Sequence, residues 1–186
     1  MSAITDLTPG VWTVDPVHSS IGFVARHLMV TKVRGRFSSF IGTITIAENP
    51  LESKVEATLD VASVTTGDDT REAHLKSPDF FDVEKHPKMT LVSTGIEEDG
   101  KDYLLHTDLR IKGITKPVDF ELEFEGVSGD PWGGTRAGFS AEAEVNRRDW
   151  GLEWNVILDT GGVMLGEKVK IQLDVQAVLQ LPAVTP

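Results

Sequence analysis

Five histidines, His18, His27, His74, His86 and His106, are the side chains of this sequence best suited to proton transfer near neutral pH. None pairs with another at a helical spacing with a glutamate between, the pattern that specifies a metal centre, so no metal is expected. Hydrogen-bonded structural histidines are the ordinary reading. Cysteine is absent, which removes disulfides, thiolate ligands and cysteine nucleophiles together. There is no G-x-S-x-G elbow, P-loop or G-x-G-x-x-G turn, so nucleotide binding is not indicated. Carboxylates abound, but most alternate outward along extended runs, where they serve solubility rather than acid–base work. Asp15, Asp79 and Asp149 stand apart because each has aromatic or histidine neighbours. A catalytic reading would take His18 or His74 as base and Asp15 as its orienting partner, acting on a small amphiphile.

The net charge of −11 over 186 residues opposes general binding to nucleic acid or anionic membranes. The acid is unevenly spread. Between Asp15 and Glu48 there is no acidic residue, and Arg26, Lys32, Arg34 and Arg36 fall inside that window. This basic island could hold a phosphate, or it could be solvated loop paired in space with the acidic C-terminal half.

The elements that must position these groups are strands. Period-two alternation is cleanest at 54–61, 118–125, 137–145 and 168–177, and fainter at 11–15, 20–26, 37–46, 88–94 and 103–112. Breakers at Asn49-Pro50, Asp99-Gly100, Lys112-Gly113, Gly126 to Gly134 and Gly161-Gly162 separate the runs, as in hairpins. Eight or nine such strands suffice to close a small barrel. Asp69–Ser77 reads as a short helix stopped by Pro78, and Glu153–Asp159 as a weaker one.

The aromatic residues Phe23, Phe37, Phe40, Phe80, Phe81, Phe139, Trp150 and Trp154 are expected to point inward. They mix there with small residues such as Ala57, Ala137, Ala141 and Ala143. That mixture fits either a cavity or a tapering packed core. The chain reads as a lead at 1–10, one domain at 11–179 and a tail at 180–186. Without an apolar leader or spanning run, a cytoplasmic protein is expected.

Several ordered motifs carry a resemblance: D-P-V-H-S-S-I-G-F at 15–23, R-H-L-M-V at 26–30, R-G-R-F-S-S-F-I-G-T-I at 34–44, and R-E-A-H-L-K-S-P-D-F-F-D-V at 71–83. L-R-I-K-G-I-T-K-P-V at 109–118 and F-S-A-E-A-E-V-N-R-R-D-W-G-L at 139–152 extend it. From Trp12 to Leu179 the chain resembles the YceI-like family of lipocalin-like polyisoprenoid-binding proteins. Two departures stand out: Glu72 replaces the aspartate common after the arginine, and the secretion signal of many relatives is not seen.

The resemblance implies an all-β fold, an extended eight-stranded antiparallel barrel with one or two short helices. Its hydrophobic channel would take an isoprenoid, either a polyprenyl quinone or a polyprenyl phosphate, or another long amphiphile, for carriage or storage. Binding is implied, not catalysis, with no cofactor, no nucleic-acid partner and no stable membrane insertion. A homodimer with joined channels would suit a chain longer than one barrel. The matching apolar positions are Ile21, Phe23, Phe37, Phe40, Leu75, Phe80 and Phe81, and the matching polar positions are Asp15, His18, His27, Arg71 and His74. A head group must keep hydrogen-bond partners at the mouth, and Arg26, Arg34, Arg36 and Arg71 would serve a phosphate there. A filled barrel that only binds partners on its acidic face is the remaining alternative.

Overall fold

Alternating runs need a sheet that buries one face, and closing that sheet on itself removes its exposed edges. The computed structural model, which describes residues 4–181, shows this solution. Its strands are β1 (Gly10–Val14), β2 (Ser20–His27), β3 (Thr31–Phe37), β4 (Phe40–Ile46), β5 (Lys54–Asp60), β6 (Val64–Thr65), β7 (Lys88–Asp99), β8 (Asp102–Ile111), β9 (Ile114–Gly129), β10 (Thr135–Asn146) and β11 (Leu165–Leu179). One helix, α1 (Asp69–Lys76), lies between β6 and β7.

All pairings are antiparallel, and the eleven segments form eight staves of a closed barrel. Three staves are broken in the middle. β1 and β2 run end to end along β11, with Thr13 opposite Val178 and Ile21 opposite Leu173. β4 and β3 follow them in turn, and β5 with β6 makes the third broken stave. The other five, β7 to β11, are long and continuous. Cross-strand ion pairs such as Lys168–Glu144 at 2.7 Å line the wet face of β10 and β11.

Two apolar clusters make up the core. The larger includes Phe37, Phe40, Phe80, Leu109, Phe120 and Trp150. The smaller comprises Ile4, Leu7, Trp12, Ile44, Ile46, Ala137 and Ala177. The described part of the lead, 4–10, is built into the fold: a short 3-10 turn at Ile4–Asp6 sets Ile4 and Leu7 against Trp12. The predicted tail falls at 180–186, of which 182–186 lie outside the described residues.

The helix is stopped at Ser77 before Pro78, and Asp68 caps it by accepting from the Arg71 amide at 2.8 Å. Glu153–Asp159, read as a weak helix, is not helical. Its backbone carbonyls are drawn elsewhere: that of Trp154, like that of Leu152 just before the segment, accepts from the Arg147 guanidinium, and Val156 accepts from the Met164 amide. Helical i to i−4 bonding is therefore replaced by contacts across the loop. A 3-10 turn forms instead at Arg147–Trp150. The basic window is also not a loop, since Lys32, Arg34 and Arg36 lie on strand β3.

Candidate functional site

The barrel encloses a cavity of about 1090 Å³, above the ~300–1,000 Å³ usual for small-ligand pockets. Its walls are the inward positions of the staves. β2 gives Ile21, Phe23, Ala25 and His27, and β11 gives Val169, Ile171, Leu173 and Val175. Ala57 and Ala141 lie on opposite parts of the wall. Small side chains at such positions leave room where larger ones would meet. Ala137 and Ala143 are buried but not part of the lining, and Ala137 packs with Ala177 in the small cluster instead. Ile4, Ile44 and Ile46 reach the cavity from that closed end.

At the opposite end the lining turns polar. Thr66, Asp68, Thr70, Arg71 and His74 come from the β6–α1 segment, and Arg147 and Met164 from the connection between β10 and β11. Asp68 and Thr70 of this lining are solvent-exposed, as are Ile41 and Glu56 at outward positions of β4 and β5. β3 pairs with β6 only at Arg36 and Phe37. Toward its tip it has a strand neighbour on one side alone, and Val33 of that stretch joins the lining.

An aromatic cluster roofs this end. The His74 imidazole meets Trp154 edge-on with centroids 4.5 Å apart and Phe80 at 5.0 Å, and Phe80 meets Trp154 at 5.5 Å. His74 Nε2 bonds to the Asp79 carboxylate at 2.8 Å. Trp150 is anchored below by donating from its indole nitrogen to the Leu109 carbonyl at 3.1 Å.

Arg147 holds the roof in place. It is 5 % exposed, and its guanidinium donates to the carbonyls of Leu152, Trp154, Leu165 and Gly166. Among the described residues no carboxylate neutralises it at bonding distance, and burial pulls its pKa below the usual arginine value. Glu72 organises the turn before α1 by accepting from the Thr65 hydroxyl and the amides of Thr66 and Gly67. Those bonds, the Thr66 amide first, hold its carboxyl below the usual range. Thr66 Oγ1 is buried without a protein partner, the one such side-chain atom among the described residues.

Every apolar residue picked out from the sequence lines the cavity: Ile21, Phe23, Phe37, Phe40, Leu75, Phe80, Phe81, Phe139, Trp150 and Trp154. Of the polar set, His27, Arg71 and His74 do so, and Asp15, His18 and Arg34 do not. Asp15 lies in the break between β1 and β2, where its carboxylate accepts from His18 at 2.8 Å and from Arg136 at 2.7 Å. These bonds, with the Val17 amide, lower its pKa to about 2. Arg136 also donates to Asp130 at 2.9 Å, so the cluster ties two loops together on the outside of the wall. A His18–Asp15 pair acting inside the cavity is therefore not built. Arg34 is exposed because Gly35 and Phe37 take the inward positions of β3.

Arg147 and Thr66 were missed. Arg147 sits beside Arg148, which is exposed and pairs with Glu167 at 3.1 Å; two adjacent arginines carry no signal as to which is buried. Among the described residues no group of three His, Cys, Asp or Glu could hold a metal ion, and no helix is long and apolar enough to cross a membrane.

A closed eight-stranded antiparallel barrel around an apolar cavity, roofed by one helix, defines a lipocalin-like protein. Residues 12–177 match the YceI-like domain family, and the chain belongs to it. It is 37% identical to Protein YceI of Escherichia coli O17:K52:H18 over 164 residues, covering 88% of this chain and 83% of that one. The Burkholderia cenocepacia BcnA crystal structure matches with TM-score 0.74 at 22% identity, over 88% of this chain and 98% of that one. A polyisoprenoid binding domain from Saccharophagus degradans, implicated in plant cell wall breakdown, matches with TM-score 0.70 at 17% identity, over 91% and 98%.

Proposed function

We propose that this protein carries or stores an isoprenoid lipid, or a similar long-chain amphiphile, by reversible non-covalent binding in the barrel. The observation that carries this reading is the cavity itself: an apolar tube closed at Ile4 and polar at the α1 end. A prenyl tail gains about 4 kcal/mol of transfer free energy per five-carbon unit buried, at roughly 0.8 kcal/mol per methylene-sized group. The polar end suits a head group, which must keep its hydrogen bonds. Arg71, His74, His27 and the unpartnered Thr66 hydroxyl are the groups offered to it, and Arg71 favours an anionic one. The polyisoprenoid-binding domain that shares this fold supports the same class of ligand.

Native mass spectrometry of freshly purified protein, followed by organic extraction, tests the reading. A stoichiometric isoprenoid or long-chain lipid is expected. A ligand-free spectrum that persists after incubation with prenyl quinones and prenyl phosphates overturns it. Turnover of a small amphiphile, lost in His74→Gln, would instead assign the cavity to an enzyme.

A further inference from the structure

The β2–β3 hairpin ends in Leu28, Met29 and Val30, and all three are exposed, Val30 to 76 %. Leu28 and Met29 are the central residues of the turn closed by the Val30 amide on the His27 carbonyl, and both have left-handed backbones, φ 51° and 63°. A turn of this kind is relaxed with Asn-Gly and strained with large side chains. Two bulky apolar residues are thus displayed at a position where folding alone favours small or polar ones.

The tip is joined to a second exposed apolar segment. Leu28 donates its amide to the Met164 carbonyl at 2.7 Å, and Met164 donates to Val156 at 2.9 Å, beside Ile157, which is 82 % exposed. This rim adjoins the polar end of the cavity, whose lining includes His27 and Met164.

Below the tip, the outer face of the hairpin is basic. Arg26 lies opposite Lys32, and Arg34 and Arg36 continue the stripe. Among the described residues none of the four has a carboxylate partner, whereas Lys168 and Lys170 on neighbouring β11 are paired. The diametrically opposite stave, β9, turns Asp119, Glu121, Glu123 and Glu125 outward. The carboxylates of β9 thus lie on the far side from the hairpin, while the 156–157 segment is flanked by the exposed Glu153 and Asp159.

We propose that the β2–β3 tip and the 156–157 segment form a docking surface for an anionic lipid bilayer, with the tip entering the interface and the arginine–lysine stripe meeting the head groups. The occupant is specified by the combination, because an apolar tip flanked by unpaired cations complements an anionic interface and not a neutral one. Docking would set the mouth of the cavity against the membrane. Its purpose rests on the lipid-carrying reading, but its existence does not.

The test is co-sedimentation of the full chain with phosphatidylcholine vesicles, with and without phosphatidylglycerol. Binding to the anionic vesicles alone, weakened by salt, is expected. Leu28→Asn with Met29→Gly should reduce it at least tenfold without lowering the melting temperature, because that turn is unstrained. Arg26→Glu with Lys32→Glu should reduce it similarly. Uptake of farnesyl phosphate in vesicle-free solution should be unchanged in the Leu28→Asn, Met29→Gly variant, so a failure of the cavity to bind lipid is read separately. No vesicle binding by the wild type, or equal binding by the variants, overturns the proposal. Pull-down of a protein lost in the tip variant, without vesicle binding, would assign the surface to a protein partner and also overturn it.

Discussion

The ring of Phe23 lies directly over Gly35 on the neighbouring strand, in the space that a side chain there would occupy. This close approach lets Phe23 stand at the wall of the cavity instead of crossing it, 5.9 Å from Phe37. Gly35→Ala forces the ring to move. We expect a loss of about 1–3 kcal/mol in urea unfolding and weaker uptake of an apolar fluorescent probe. Adding Phe23→Leu should recover part of both, and strict additivity of the two substitutions would show that the contact is unimportant.

Arg136 on β10 joins Asp15, in the break of the first stave, to Asp130 in the turn between β9 and β10. Asp15 has a folded pKa of about 2 against an ordinary 3.8, so its bonds stabilise the fold fully above the ordinary value. That contribution fades as the pH falls from about 4 toward 2. Arg136→Met should cost roughly 1–2 kcal/mol at neutral pH, with the difference from wild type closing near the acid limit. A pH-independent gap in melting temperature would refute the assignment.

His106 shows the opposite sign. Asp119 at 2.7 Å, with Glu97 at 3.4 Å, raises its pKa above the usual histidine value. The protonated ring therefore stabilises the fold below the ordinary pKa, and the effect disappears as the pH rises through the folded one. His106→Gln should lower the melting temperature in mildly acidic buffer and leave it unchanged in alkaline buffer. The imidazole proton resonances of wild type should titrate above the unperturbed position.

Removing Arg147 leaves four carbonyls of the roof without their donor. Arg147→Met is expected to cost about 2–4 kcal/mol, with faster amide exchange confined to residues 152–166. Arg147→Lys should rescue little, because one ammonium does not span the positions a planar guanidinium reaches. Full rescue by lysine would mean that charge alone matters.

Much of the barrel was legible in the sequence because alternation records which face is wet. β5 is almost the run that the pattern marks, and the other three clean runs fall inside the longer β9, β10 and β11. Lys32 to Arg36 escaped because cations on one face, and glycine rather than a bulky residue at 35 on the other, hide the strand period. The parity was still there: Val33, Gly35 and Phe37 face in, so Arg34 must face out. Glu153–Asp159 misled because an apolar and acidic stretch looks helical, while the fate of its carbonyls is decided by Arg147. Tertiary partners of this kind leave no local trace. The apolar site was readable from residue type, whereas the polar one depended on which side of a broken stave each group fell.

The breaks in the staves are all on one side. Asp15–Ser19, Ser38–Ser39 and Val61–Ser63 lie at one level, laced by the Ser38 amide on the Ser63 carbonyl and the Asp60 amide on the Ser39 carbonyl. The far side, β7 to β11, is unbroken. The strand ladder is thus continuous along one half of the circumference and interrupted along the other, so a change of girth would cost the fewest backbone hydrogen bonds at the interruptions.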